Sequence, residues 1–326
     1  MKTLFHKLKS EFRDAMKDFL WDQWVSIGVA GSARGNGVPF VIDPEALLLA
    51  TTRFAGADHR IMGEVMDWLH QNGDVLSMQR MKGLVGDPGM ADVPRLVGIA
   101  EEMVRSKKMG WKVLLKLDSA DAGSVSKSNR VRESRGMSLP PDTEEVGAFL
   151  FRLRFMFGVN ARAEVIAWLL THEGGHPARI ARETGWFSKS IQAILNDMEK
   201  SGLVRVQSGR REKVFELDRE KWLALFAPYQ SLSWLTQPPF YLACSCVDEA
   251  LSELGPISGA SPSMLSTVIH KNLDGLINLY MREAGQGFLF AGLERMRGQA
   301  VVDAFQDRVG LLCKILREDR LKLCSN

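Results

Sequence analysis

The stretch ARAEVIAWLLTHEGGHPARIARETGWFSKSIQAILNDMEKSGLVRVQSGRREKVFEL, residues 161–217, decides how this chain is read. Val165, Ile166, Leu169 and Leu170 recur at the spacing of one helical face. Pro177 suits the start of a second short helix over 178–183, because the N–H it lacks is one that a first helical turn leaves unpaired anyway. Gly185 then breaks that helix, as a turn between two crossing helices requires. Ser188 is expected to cap a third helix whose buried face is Ile191, Ile194 or Leu195, and Met198. Gly202 stops it, and residues 203–206 and 214–217 read as strands flanking a basic tip at 207–213.

That order, with the pattern SxSIxxxLxxMxxxGLV from Ser188 to Val204, resembles the winged helix-turn-helix of the MarR and ArsR families of bacterial DNA-binding regulators. The resemblance is limited to residues 161–217. It implies a transcriptional regulator that binds double-stranded DNA as a homodimer, since symmetric half-sites multiply what one short helix reads. The helix from Ser188 to Lys200 would enter the major groove. Lys189, Ser190, Gln192, Ala193 and Asn196 lie off its apolar stripe. Gln192 and Asn196 stand four apart on one face, and both are amides able to pair bidentately with adenine. Lys189 suits either a phosphate or a guanine. Arg179 and Arg182 on the preceding helix are placed for the DNA backbone, and Arg210, Arg211 and Lys213 at the hairpin tip for phosphates or the minor groove.

Charge agrees with this placement. Residues 152–213 hold eleven Lys/Arg against six Asp/Glu, while the whole chain carries only +3, so the remainder is slightly acidic. A hydrophobic fraction of 45% with 25% charged residues, and no apolar run near the ~20 residues that cross a bilayer, describes a cytoplasmic protein that contacts no membrane. Lys2, His6, Lys7 and Lys9 alternate with Leu4, Phe5 and Leu8, an amphipathic pattern unlike a signal peptide. Cys244, Cys246, Cys313 and Cys324 lack CxxC spacing and read as reduced thiols. A metal or redox sensor built on Cys244, Cys246 and Cys313 is the alternative to a packed segment. His172 and His176 read as loop and helix-start residues, with no ligand-spaced partner.

Outside the central stretch, an N-terminal helix is expected with Leu4, Phe5, Leu8, Phe12, Met16, Phe19 and Leu20 on its apolar side. Residues 24–30 and 38–42 are expected to form a hairpin, and Asp43-Pro44-Glu45 to start a helix over 46–52. Glu64-Val65-Met66-Asp67-Trp68-Leu69 matches Glu164-Val165-Ile166-Ala167-Trp168-Leu169 at an offset of 100 residues. On that repeat, residues 46–118 are read as a second, degenerate winged-helix unit, with 111–117 as its strand. Residues 118–142 read as an exposed linker whose Lys127, Arg130, Arg132 and Arg135 are either solvated or near phosphates. Residues 263–281 and 288–316 read as two long helices of a bundle or dimer interface.

The expected fold is therefore mainly α with small β-hairpins: segment 1–45, a tandem unit at 46–118, a linker at 119–145, the DNA-binding unit at 146–218 and a C-terminal helical region at 219–326. No GxSxG, HExxH, Walker loop or Rossmann fingerprint occurs in the right context, so neither an enzyme nor a cofactor is expected. Two alternatives stand beside this reading. One is a protein-interaction scaffold that uses winged helices to pack partners. The other is a nucleotidyltransferase-like enzyme, in which a Gly31-Ser32 turn precedes Asp43 and Glu45 as Mg²⁺-holding carboxylates.

Overall fold

The computed structural model describes residues 4–34, 37–120, 135–207, 213–226, 229, 231–318, 321 and 323–325. Helix α1 (Leu4–Ser26) is followed by α2 (Pro44–Phe54), α3 (His59–Asn72), α4 (Met78–Leu84) and α5 (Val93–Arg105). A 3₁₀ segment, Met109–Ala120, comes next. Then come α6 (Phe149–Phe157), α7 (Ala161–Thr171), α8 (Pro177–Thr184) and α9 (Ser188–Lys200), and the antiparallel pair β1 (Val204–Gln207) and β2 (Val214–Leu217). The chain continues through α10 (Arg219–Leu225), β3 (Ser233–Trp234), α11 (Gln237–Leu254), α12 (Pro262–Asn272), α13 (Asn278–Glu283), α14 (Gln299–Glu318) and β4 (Cys324–Ser325), which pairs with β3. The protein is mainly helical with small antiparallel sheets.

Two apolar cores organise these elements. The larger joins the apolar face of α1 to α2–α5 and to α11–α14, with α1 lying along both α11 and α14. Segments 1–45 and 46–118 and most of 219–326 thus share one interior. The smaller core is built by α6–α10 and the β1–β2 hairpin around Phe149, Trp168, Ile191, Leu195 and Phe215. Its boundary runs past residue 218, because Trp222, Phe226, Tyr229 and Trp234 complete it.

Several local expectations are met for the reasons given. Asp43 caps α2 by accepting from the Ala46 N–H, and Pro44 occupies the first turn. Gly202, at φ +73°, ends α9. Gly185, at φ +69°, ends α8, and a Cβ there would lie 2.7 Å from Leu84 of α4. Gly185→Ala is expected to destabilise the fold by about 1–3 kcal/mol in chemical denaturation, from backbone strain and this clash together. A variant as stable as the parent would show that the turn relaxes freely.

Other expectations are corrected. Residues 24–30 and 38–42 form no hairpin: α1 continues through Trp24, whose indole N–H reaches Thr51. The Val41 and Ile42 N–H groups donate instead to Ser233 and Gly147. Residues 111–117 form no strand. Trp111 and Leu114 are buried with Leu117 partly so, a period of three that suits the 3₁₀ helix lying on α5. The proposed tandem unit therefore has α3, α4 and α5 in the expected order after α2, but no hairpin. Leu96, Ala100 and Met103 of α5 are buried like Ile191, Leu195 and Met198 of α9. However, α4 and α5 are separated by residues 85–92, a much longer connection than the turn 185–187.

Ser188 does not cap α9. Phe187 occupies the cap position, and no side chain accepts there. Residues 263–281 are broken by a π-helical turn, Leu273–Ile277. Residues 288–298 form short 3₁₀ turns and loops with Gly292 and Gly298 at positive φ, so α14 starts only at Gln299. The region 118–142 is not an exposed linker throughout. The Gly136, Met137 and Ser138 N–H groups all donate to the Asp67 carboxylate, and Arg135 pairs with Glu64. Lys127, Arg130 and Arg132 lie outside the described residues.

Candidate nucleic-acid interface

Helix α9 is held from behind. Ile191, Leu195 and Met198 are buried against α7 and α8, which fixes the opposite face outward. Ser188, Lys189, Ser190 and Ala193 on that face are exposed, and Gln192 and Asn196 are half-buried. The Gln192 amide donates to the Asn196 side-chain oxygen at 2.9 Å. One acceptor on Gln192 and one donor group on Asn196 remain, which is what an adenine edge presents a need for. Lys189 and Lys213 are exposed, without an ion pair among the described residues. Arg210 and Arg211 lie outside the described residues.

The two α8 arginines differ. Arg182 is exposed and only 3.9 Å from Glu183. Arg179 is tied inward: its Nε donates to Glu183 at 2.8 Å and its guanidinium sits 5.2 Å from the centre of the Trp168 ring. Trp168 is the anchor of this unit. Its indole N–H donates to Glu183, His172 stacks on it at 3.9 Å, and Gly175 approaches so closely that a Cβ would lie 2.4 Å from the ring. Burial lowers the His172 pKa, so the imidazole is neutral at pH 7. His176 caps α8 by accepting from the Ala178 N–H.

Sequence patterning missed three features. Gly175 exchanges two backbone hydrogen bonds with Phe215, each 3.0 Å, so the chain before α8 adds a third short segment to the hairpin. No alternation marks a single bridge, and the Gly174-Gly175 pair was its one trace. Phe187, at the start of α9, is 63% exposed and stands beside the outward polar row. The third feature is a buried ionic cluster behind the unit.

Arg154 of α6, fully buried, grips Glu45 of α2 with two hydrogen bonds of 2.8 Å and also donates to Glu164 of α7 and to the Val75 carbonyl. Arg80 of α4 pairs with Asp43 and Glu45, and its Nε donates to the Thr184 carbonyl at the end of α8 at 2.7 Å. The two carboxylates that a metal-holding reading needs are thus closed around guanidinium groups. Burial raises the Glu45 pKa, but Arg154 and Arg80 outweigh it and hold the carboxyl below its ordinary range. Glu164 is pushed up, chiefly by burial, and its Oε2 has no partner.

Two guanidinium groups face three carboxyls, and the charges balance when Glu164 is protonated. Glu164→Gln is therefore expected to change stability by no more than about 1 kcal/mol, whereas Glu45→Gln should cost several kcal/mol. The pH dependence has a defined sign. A carboxyl whose folded pKa is raised stabilises below its unfolded pKa, and loses that contribution as pH rises through the folded value. Glu164→Gln should therefore gain on the parent as pH rises above the ordinary carboxylate range in paired denaturation curves. Parallel curves would refute a protonated Glu164.

Cys244, Cys246 and Cys313 are free and buried, and burial raises all three thiols, to about 11 for Cys246 and Cys313. Such thiols are poor thiolate ligands. Among the described residues no group of His, Cys, Asp and Glu is arranged to hold a metal ion. No helix of the described residues is long and apolar enough to cross a membrane. No family model, curated protein or solved structure matches this chain.

Proposed function

We propose that this chain binds double-stranded DNA as a cytoplasmic winged helix-turn-helix regulator of MarR/ArsR-like type, with α9 in the major groove and the β1–β2 hairpin as its wing. The observation that carries this reading is the outward row Lys189, Ser190, Gln192, Ala193 and Asn196 on a helix whose opposite side is locked into the small core. The Gly175–Phe215 bridge supports it, because a third short segment stiffens the hairpin against α7 and α8. Arg182, Lys189 and Lys213 would meet phosphates, with Arg210 and Arg211 beside them in sequence. Arg179 would instead position Trp168 and Glu183. Two copies would read an inverted repeat.

Selection of bound sequences from random duplex DNA tests this. An enriched inverted repeat is the expected result. Absence of any DNA binding at low salt, where the phosphate attraction is strongest, would remove the reading. Phe155 and Met156, each more than half exposed on α6, favour the second reading, an interaction scaffold in which this unit packs a protein partner.

A further inference from the structure

A cleft of about 390 Å³ lies far in sequence from α9, between α1, the loop after it and α3. Its walls include Trp21, Gly31, Ser32, Arg60, Glu64 and Arg135. Three features set it apart from an ordinary solvated surface. Arg60 lies with its guanidinium 4.8 Å from the Trp21 ring centre and meets no carboxylate within ion-pair distance among the described residues. Arg34, nearby in sequence to Gly31, is by contrast neutralised by Asp18 and Asp22. Arg135, more than half exposed, is held by Glu64, a residue only 8% exposed, so its guanidinium is oriented from beneath by a buried carboxylate.

The loop supplies the third feature. The Gly31 backbone is pressed against the indole, where a Cβ would lie 2.3 Å from the Trp21 ring, and Trp21 Nε1 donates to the Ser32 carbonyl at 3.2 Å. This fixes the Gly31-Ser32 turn at the cleft edge. The N–H groups of Gly31 and Ser32 have no acceptor among the described residues. The solvent-exposed amides of this turn, the Arg60 guanidinium and an Arg135 guanidinium whose charge Glu64 offsets leave the opening one net positive charge and several donors, which suits a compact anion with several acceptor oxygens.

The geometry points to a binding site for a small phosphomonoester, with the phosphate between Arg60 and Arg135 and against the Gly31-Ser32 turn. The exposed part of the Trp21 ring bounds the remainder of the ligand. Arginine suits this task because its planar fork matches two phosphate oxygens at once. The site is independent of the DNA reading, since none of its residues lies in the unit 161–217.

Calorimetric titration of the full-length chain with inorganic phosphate, AMP and ribose 5-phosphate, at constant ionic strength set with chloride, tests the assignment. Saturable millimolar or tighter binding is expected. Arg60→Ala and Arg135→Lys should each weaken it by about tenfold or more, the first by removing an exposed charge and the second by removing the planar fork while keeping a cation opposite the buried Glu64. AMP binding more tightly than ribose 5-phosphate would place a base against Trp21, and equal binding would assign recognition to the phosphate. Absence of saturable binding by all three probes overturns the proposal. So does binding undiminished in both variants, which would locate the anion elsewhere on the protein. Selected-duplex affinity should be unchanged in Arg60→Ala, so failure of this site and failure of the DNA reading are separately visible.

Discussion

Arg154→Met is expected to destabilise the protein by about 3–5 kcal/mol, because it leaves the buried Asp43 and Glu45 carboxylates with one guanidinium between them. Glu45 would keep Arg80 but lose the two-pronged contact from Arg154, and Glu164 would lose the guanidinium that faces it. Methionine fills much of the space but carries neither charge nor donor, so the Val75 carbonyl also loses its partner. Against a native stability of roughly 5–15 kcal/mol this is a large fraction. Urea denaturation measures it directly as a fall in the midpoint at unchanged slope.

Much of the cost should be the stranded charge of Glu45 rather than the lost contact, so Glu45→Gln in the Arg154→Met background should recover part of the stability. Strictly additive single and double variants, or an Arg154→Met protein within about 1 kcal/mol of the parent, would show that the cluster is not the tie between α2, α6 and α7 that its geometry implies.

The legible parts of this fold are those written in short-range patterns. Gly185, Gly202, Pro177 and Asp43-Pro44 sit at helix ends because each solves a backbone problem local to its own turn. The apolar face Ile191, Leu195 and Met198 was readable because burial from one side imposes a helical period. What sequence patterning missed depends on long-range partners. Residues 24–30 look like a strand until Thr51 receives the Trp24 indole N–H, and Arg80 looks like any surface arginine until Asp43 and Glu45 close around it. The segment 111–117 resembles a strand for a different reason: Trp111, Leu114 and Leu117 repeat every three residues, a period between those of strand and α-helix.

The candidate interface shows the same division. The outward row on α9 followed from periodicity, but the two arginines on α8 could not be told apart by spacing alone. Arg179 turns to Trp168 and Glu183, and Arg182 stays exposed, because Trp168 lies under only one of them.

Ala193→Glu should abolish specific DNA binding while leaving the fold intact, an expected loss of about a hundredfold or more, or roughly 2.7 kcal/mol. Ala193 is exposed in the middle of the outward row, one turn from Lys189 and beside Gln192. Glutamate is a good helix former, so α9 keeps its propensity, and the buried face Ile191, Leu195 and Met198 is untouched. What changes is the partner's side. A carboxylate there meets the phosphate field of the duplex and the acceptor edges of the major groove, and like charge across an interface costs several kcal/mol. Gln192→Ala supplies the contrast. It adds no repulsion, so affinity for arbitrary duplex should persist while discrimination against altered adenines falls by about 1–3 kcal/mol. Lys213→Ala should act in a third way, weakening all sequences alike and reducing the salt slope by about one phosphate contact. Fluorescence anisotropy on the selected duplex over a salt series separates the three. Parent-like affinity in Ala193→Glu would mean that α9 does not face DNA, whatever else on the surface does.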